Sequence, residues 1–126
     1  MQAIDCRFLN NRALRGGAIV NTNGWLTLIN CVLSNNVASD NVASGSGGFG
    51  GAIHSVWGDL VVSNCTFVAN RADGPPSWSP PPQALPRIVS AGGAMYVNTA
   101  GQVHVVNTTF ADNQAGAGAT GSITVL

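Results

Sequence analysis

Gly50 to Asn70, GGAIHSVWGDLVVSNCTFVAN, is one turn of a pattern that recurs before it and after it with its key letters in place. A first set of columns reads Gly16-Gly17-Ala18-Ile19, Gly50-Gly51-Ala52-Ile53, Gly92-Gly93-Ala94-Met95 and a degenerate Thr120-Gly121-Ser122-Ile123. A second aligns Leu26 to Cys31 with Leu60 to Cys65 and Val103 to Thr108, and Ile4-Asp5-Cys6 is the tail of an earlier copy. A third places an apolar residue three before an asparagine: Phe8 and Asn11, Leu33 and Asn36, Phe67 and Asn70, Phe110 and Asn113.

Spacing decides what kind of repeat this is. Cys6 to Cys31 is 25 residues, Cys31 to Cys65 is 34 and Cys65 to Thr108 is 43. The excess falls almost entirely at one junction, between the asparagine and the next Gly-Gly, which takes 5, then 14, then 22 steps. A constant frame of about 25 residues with loops leaving from one edge is the signature of a solenoid. The apolar runs are short, rich in Val, Ile, Leu, Thr and Phe, and broken by Gly and Asn, which argues for strands over helices. Three short strands and three bends fill each copy, on Ala-Ile, on Leu-x-Leu and around Cys-x-Phe. Stacked copies then pair each strand with its equivalent about 4.8 Å above and below in parallel register. The expected fold is an all-β parallel β-helix of about four coils, a single domain over residues 1–126 with insertions at 39–49 and 73–89.

Repeated Gly-Gly-Ala-Ile paired with Phe-x-x-Asn resembles the motif pair of the polymorphic membrane proteins of chlamydiae and of related right-handed parallel β-helix repeat proteins. The resemblance covers almost all of the chain outside the insertions. It implies a right-handed helix with a surface or secreted, often adhesive, role. The outer-membrane β-barrel of that family has no counterpart in these 126 residues.

Only 8% of the residues are charged, the five cations all Arg and the five anions all Asp, with net charge zero. No basic field exists to recruit nucleic acid or an anionic membrane surface. Such an uncharged chain needs glycans or assembly to stay in solution. Met1 to Asn10 lacks the apolar core of a signal peptide and no apolar run is long enough for a transmembrane helix. The chain begins and stops within a coil, which suggests either a piece of a longer protein or a subunit that stacks head to tail on itself through open sheet edges.

Cys6, Cys31 and Cys65 share a column with Thr108 and are expected to be small inward filler rather than disulfides or metal ligands, because stacked parallel side chains point the same way. Asn11, Asn36, Asn70 and Asn113 are expected to form a hydrogen-bonded ladder at a bend where Asn tolerates positive φ. Asp5, Asn30, Asn64 and Asn107 form a second candidate ladder. Asn64 and Asn107 also head glycosylation sequons, Asn64-Cys65-Thr66 and Asn107-Thr108-Thr109, and the ladder reading is preferred for them.

The first insertion is Gly- and Ser-rich. The second holds all six prolines and is expected to run extended, with Trp78 as an anchor. Its Ser79-Pro80-Pro81-Pro82 run resembles the glycosylated motif of plant and algal hydroxyproline-rich glycoproteins, which makes Pro80, Pro81 and Pro82 modification candidates. Trp25 and Trp57 flank the Gly24 and Gly58 turn column; exposed indoles stack on sugar faces, and the plainer reading has them covering a corner of the core. Asp5, Asp40, Asp59, Asp73 and Asp112 are scattered rather than clustered as polysaccharide cleavage or calcium binding requires. His54 and His104 fall on different strands and read as lone surface residues. The sequence therefore points to a non-catalytic extracellular or cell-surface structural module, without cofactor, that builds a fibre, wall layer or adhesive stalk. A carbohydrate-binding or polysaccharide-cleaving β-helix is the alternative.

Overall fold

Equivalent letters of successive copies lie directly over one another. The computed structural model describes residues 1–39, 48–74, 90–116 and 123–125. The first coil contains β1 (Gln2–Ile4), β2 (Arg7–Leu9), β3 (Arg12–Ala13) and β4 (Ile19–Thr22). The second contains β5 (Trp25–Ile29), β6 (Val32–Ser34), β7 (Val37–Ser39) and β8 (Ile53–Val56). The third contains β9 (Asp59–Ser63), β10 (Thr66–Val68), β11 (Arg71–Asp73) and β12 (Met95–Asn98). The fourth contains β13 (Val103–Val106), β14 (Thr109–Ala111), β15 (Gln114–Ala115) and β16 (Ile123–Val125).

These strands form four parallel sheets of four, β1-β5-β9-β13, β2-β6-β10-β14, β3-β7-β11-β15 and β4-β8-β12-β16. The fold is a parallel β-helix of four coils. Register follows the repeat columns: Phe8, Leu33, Phe67 and Phe110 pair in series, as do Ile19, Ile53, Met95 and Ile123.

Each coil has four strands, not the three expected from sequence. The extra strand is the short stretch after the ladder asparagine, where Ala13, Ala38, Ala72 and Ala115 stack. Two or three residues with one small inward alanine carry too little alternation to announce a strand. The insertions are also shorter than expected. Ser39 and Asp73 are paired in the β7–β11 ladder, and Phe49 bridges Arg15 on one side and Ala91 on the other, so all three belong to the frame.

Four bends turn the chain around each coil, and most use a left-handed residue; the turn from Asn98 to Val103 does not. Between the first and second strands these are Asp5, Asn30, Asn64 and Asn107, with φ between 45° and 54°. Between the second and third they are Asn10, Asn35, Ala69 and Asp112. The third bend uses Gly16, Gly50 and Gly92, and the fourth Asn23 and Trp57. One αL residue between extended neighbours swings the strand direction sharply while neighbouring coils stay in hydrogen-bonding register; Asn and Asp adopt it at least cost among non-glycine residues. The second glycine of each pair serves close approach instead: a Cβ at Gly51 would meet the Gly93 carbonyl oxygen at 1.9 Å.

The positive φ therefore falls on the residue before each ladder asparagine, not on the ladder itself. Asn11, Asn36, Asn70 and Asn113 turn inward and bond in a directional series. The backbone N–H and the Nδ2 of Asn36 both donate to Asn70 Oδ1, at 3.0 and 2.9 Å, and Asn70 donates likewise to Asn113. Asn11 donates likewise to Asn36. The second Nδ2 hydrogen reaches a carbonyl one coil back, Phe8 for Asn36, Leu33 for Asn70 and Phe67 for Asn113. Asn36 and Asn70 are wholly buried, yet all of these side-chain polar atoms are paired.

Asp5, Asn30, Asn64 and Asn107, by contrast, are exposed and form no second ladder among the described residues, because their αL backbone aims the side chains outward. The cysteine column is more than filler. Cys6, Cys31, Cys65 and Thr108 each donate from Sγ or Oγ1 to the carbonyl two residues earlier. Cys31 and Cys65 also donate their backbone N–H to the next side chain along, Cys65 Sγ and Thr108 Oγ1. A threonine can do the same work, which accounts for the substitution; all three cysteines are free.

Leu26, Leu28, Leu33, Ile53, Leu60, Val62, Phe67, Met95 and Val97 fill one continuous apolar core, with Phe110 stacked on Phe67 at 4.9 Å. Asn70→Ala would leave the Asn36 donors and the Leu33 carbonyl without partners in this core. At roughly 1–3 kcal/mol per orphaned buried group, it is expected to cost about 3 kcal/mol or more in urea unfolding. Asn11→Ala, at an exposed rung, should cost about 1 kcal/mol.

Candidate functional site

Alternation along β4, β8 and β12 sends Ile19, Ile53 and Met95 into the core and Val20, His54 and Tyr96 to the outer wall. An outward column is normally wet, and Val20 is exposed. His54 is only 6% exposed and Tyr96 9%. His54 lies parallel to Tyr96, centroids 5.2 Å apart and planes 7° from parallel, as one-rung spacing in a parallel ladder dictates. Phe49, placed beside them by its bridges to Arg15 and Ala91, meets Tyr96 edge-on at 5.0 Å and His54 at 6.4 Å. The Arg15 guanidinium sits 5.7 Å over the Phe49 ring.

Together with Val56 and Asn98, these four residues line a hollow of about 230 Å³ on the outside of the sheet. His54 Nδ1 is buried there without a hydrogen-bond partner among the described residues. Burial, and secondarily the Arg15 charge, push the His54 pKa below its ordinary 6.5. His54 is thus neither lone nor a surface residue, contrary to the expectation from sequence; Tyr96 on the next rung and Phe49 in its own coil cover it. His104 does lie exposed on β13, its Nε2 3.4 Å from Gln102 Oε1.

The sequence-predicted residues do not converge on this hollow. Trp25 and Trp57 are 58% and 64% exposed around the fourth bend, so they do not cover the core. Trp57 occupies the αL position itself, with φ of 57°. Trp78, Pro80, Pro81 and Pro82 lie outside the described residues. Asn64 and Asn107 are exposed on adjacent rungs, so the sequon side chains face solvent rather than packing as a ladder. A second hollow, of about 300 Å³, is lined by Arg71, Asp73, Gly74, Gln114 and Gly116, but its charges pair with each other, Arg71 Nη2 donating to Asp73 Oδ2 at 2.7 Å. Among the described residues no three His, Cys, Asp or Glu side chains lie close enough to hold a metal ion.

The sequence hides the Arg15, Phe49, His54 and Tyr96 cluster because Phe49 reads there as the end of an insertion. The signal was present: Arg15, Phe49 and Ala91 each stand immediately before a Gly-Gly pair. No family model, no curated protein and no solved structure matches this chain.

Because its folded pKa is depressed, neutral His54 contributes stability that is fully present above 6.5 and is lost as pH falls through the folded value. The melting temperature should therefore drop between pH 7 and pH 5, and His54→Phe, which keeps the stacked ring, should remove that part of the drop.

Proposed function

We propose that the chain is a non-catalytic structural module of the extracellular or cell-surface type, whose coils pair head to tail with further β-helix coils to build a fibre, wall layer or stalk. One observation carries this reading. Columns that are sealed in the two middle coils lie partly open at the ends: Cys31, Cys65, Leu33 and Phe67 are buried, while Cys6, Phe8, Thr108 and Phe110 of the same columns are partly exposed. The first and last strand of every sheet also has one edge without a partner among the described residues. Such edges template further strands.

Polarity makes the two ends complementary. Asn11 Oδ1 accepts no bond among the described residues, and the Asn113 backbone N–H, whose equivalents bond the next asparagine along, has no such partner. A second copy seated on the fourth coil would supply the missing acceptor from its own Asn11. The low charge and the resemblance to surface β-helix repeats support the same reading, and the exposed Asn64 and Asn107 leave room for glycans on the wall. Negative-stain electron microscopy of the concentrated chain should show rods that lengthen with concentration, with an axial repeat of about 19 Å for four rungs. Particles that stay at monomer mass in sedimentation velocity would remove the self-stacking claim.

A carbohydrate-binding role is the second reading, and Trp57 is the observation that favours it. A bulky, largely exposed side chain at an αL bend costs about 1–2 kcal/mol relative to glycine, and strain of this kind concentrates where a side chain is needed outside the fold. Trp57→Asn should raise stability by about 1 kcal/mol while abolishing the glycan-array signal from neutral sugars. A wild-type chain that binds no glycan on the array, or a variant that binds as well, removes this reading.

A further inference from the structure

The hollow on the outer wall gathers a buried imidazole, a cation and an aromatic wall in one place. His54 is more than nine-tenths buried, lines the hollow, and leaves Nδ1 unpaired among the described residues. Leaving a buried ring nitrogen unbonded is unfavourable, and native interiors rarely do so without a reason. Arg15 lines the same hollow, exposed, with its charge over the Phe49 ring and no carboxylate within salt-bridge distance among the described residues. Among the described residues no acidic side chain lines the hollow. A cation without a counter-ion among the described residues and a buried imidazole short of a partner line one space, and a carboxylate can accept from the guanidinium and, once the ring turns Nδ1–H toward the hollow, from the imidazole as well.

The rest of the lining says what body that anion has. Phe49, Tyr96 and Val56 offer apolar and aromatic surface, to which the C–H face of a ring is complementary. Asn98 adds an amide that both donates and accepts, which a hydroxylated ring can use and a bare hydrocarbon cannot. Drug-sized pockets run to about 300–1,000 Å³, so a hollow of about 230 Å³ takes a single ring.

We propose that the hollow bounded by Arg15, Phe49, His54 and Tyr96 is a binding site for one carboxylated sugar ring, a hexuronate, on the side wall of the β-helix. The carboxylate accepts from the Arg15 guanidinium and, after a flip of the His54 ring in its own plane brings Nδ1 out of its buried position, from His54 in the tautomer protonated there. The ring lies against the aromatic wall, and Asn98 reads a hydroxyl. The site is built from the fourth strands of the second and third coils and from Arg15 and Phe49, which stand just before the glycine pairs; it adjoins the Trp57 bend through Val56 and Asn98 but needs neither the Trp57 side chain nor the stacking of coils.

The test is to titrate the full chain with sodium glucuronate and with sodium galacturonate while following the imidazole nitrogens of His54 and His104 by NMR. At least one uronate should produce a saturable shift at His54 alone, with a Kd on the order of millimolar for so small a ligand. Arg15→Gln, an exposed change that leaves the core intact, should weaken binding by about tenfold or more. His54→Phe should weaken it similarly, read from the Tyr96 ring signals. Glucose should give no saturable shift, and benzoate should bind more weakly than the uronate. The proposal is overturned by no shift with either uronate at tens of millimolar, by unchanged affinity in Arg15→Gln, by equal binding of glucose, or by benzoate binding more tightly than both uronates. Should His54→Phe fail to fold, Arg15→Gln and the glucose comparison decide the matter without it.

Discussion

Parallel in-register pairing makes every residue the neighbour of its own equivalent one rung away, and nearly every other property of this chain follows from it. At about 4.8 Å between rungs, like charges in one column would repel along its length. Among the described residues no column sets two charges of the same sign on adjacent rungs: Arg12 and Arg71 are separated by Val37, and Asp5 is followed by Asn30. Stacking thus accounts for the sparse charge better than any partner does. It also rewards side chains that bond their own kind. The amide of Asn carries a donor and an acceptor in one group, so Asn11, Asn36, Asn70 and Asn113 satisfy one another and the bend at once.

The bends obey the same logic with a different element of chemistry. Each coil must turn four times without leaving register, and at three bends the αL residue is Asn, Asp or Gly in nearly every copy. Ala69 and Trp57 are the exceptions. Ala69 is small and half-buried beside the ladder, where a missing polar group is tolerable. Trp57 has no such account, since its side chain gains little burial in return for its backbone, and this marks the bend for attention.

Stacking constrains the interior far more than the outside. Inward columns must fill a cross-section of fixed shape, so Leu33, Phe67 and Phe110 replace one another and little else would fit. The outward column Val20, His54, Tyr96 is free to vary from rung to rung. Variation there, together with the shoulder made by Arg15 and Phe49, is what turns a flat wall into a hollow with its own chemistry.

The letters alone carried the coil number, the register, the asparagine ladder and the corner from which the loops leave, because each of these is a repeat, and a repeat can be read by laying a chain over itself. They did not carry the fourth strand, whose two or three residues are held by neighbouring coils rather than by their own alternation. Nor did they carry the direction in which Asn64 and Asn107 point, since an asparagine at an αL bend and one just after it look alike in sequence yet face opposite ways. Burial of His54 was beyond them for the same kind of reason: Phe49 sits 5 residues from it and Tyr96 42, and only the pairing of one rung on the next sets both rings against the imidazole.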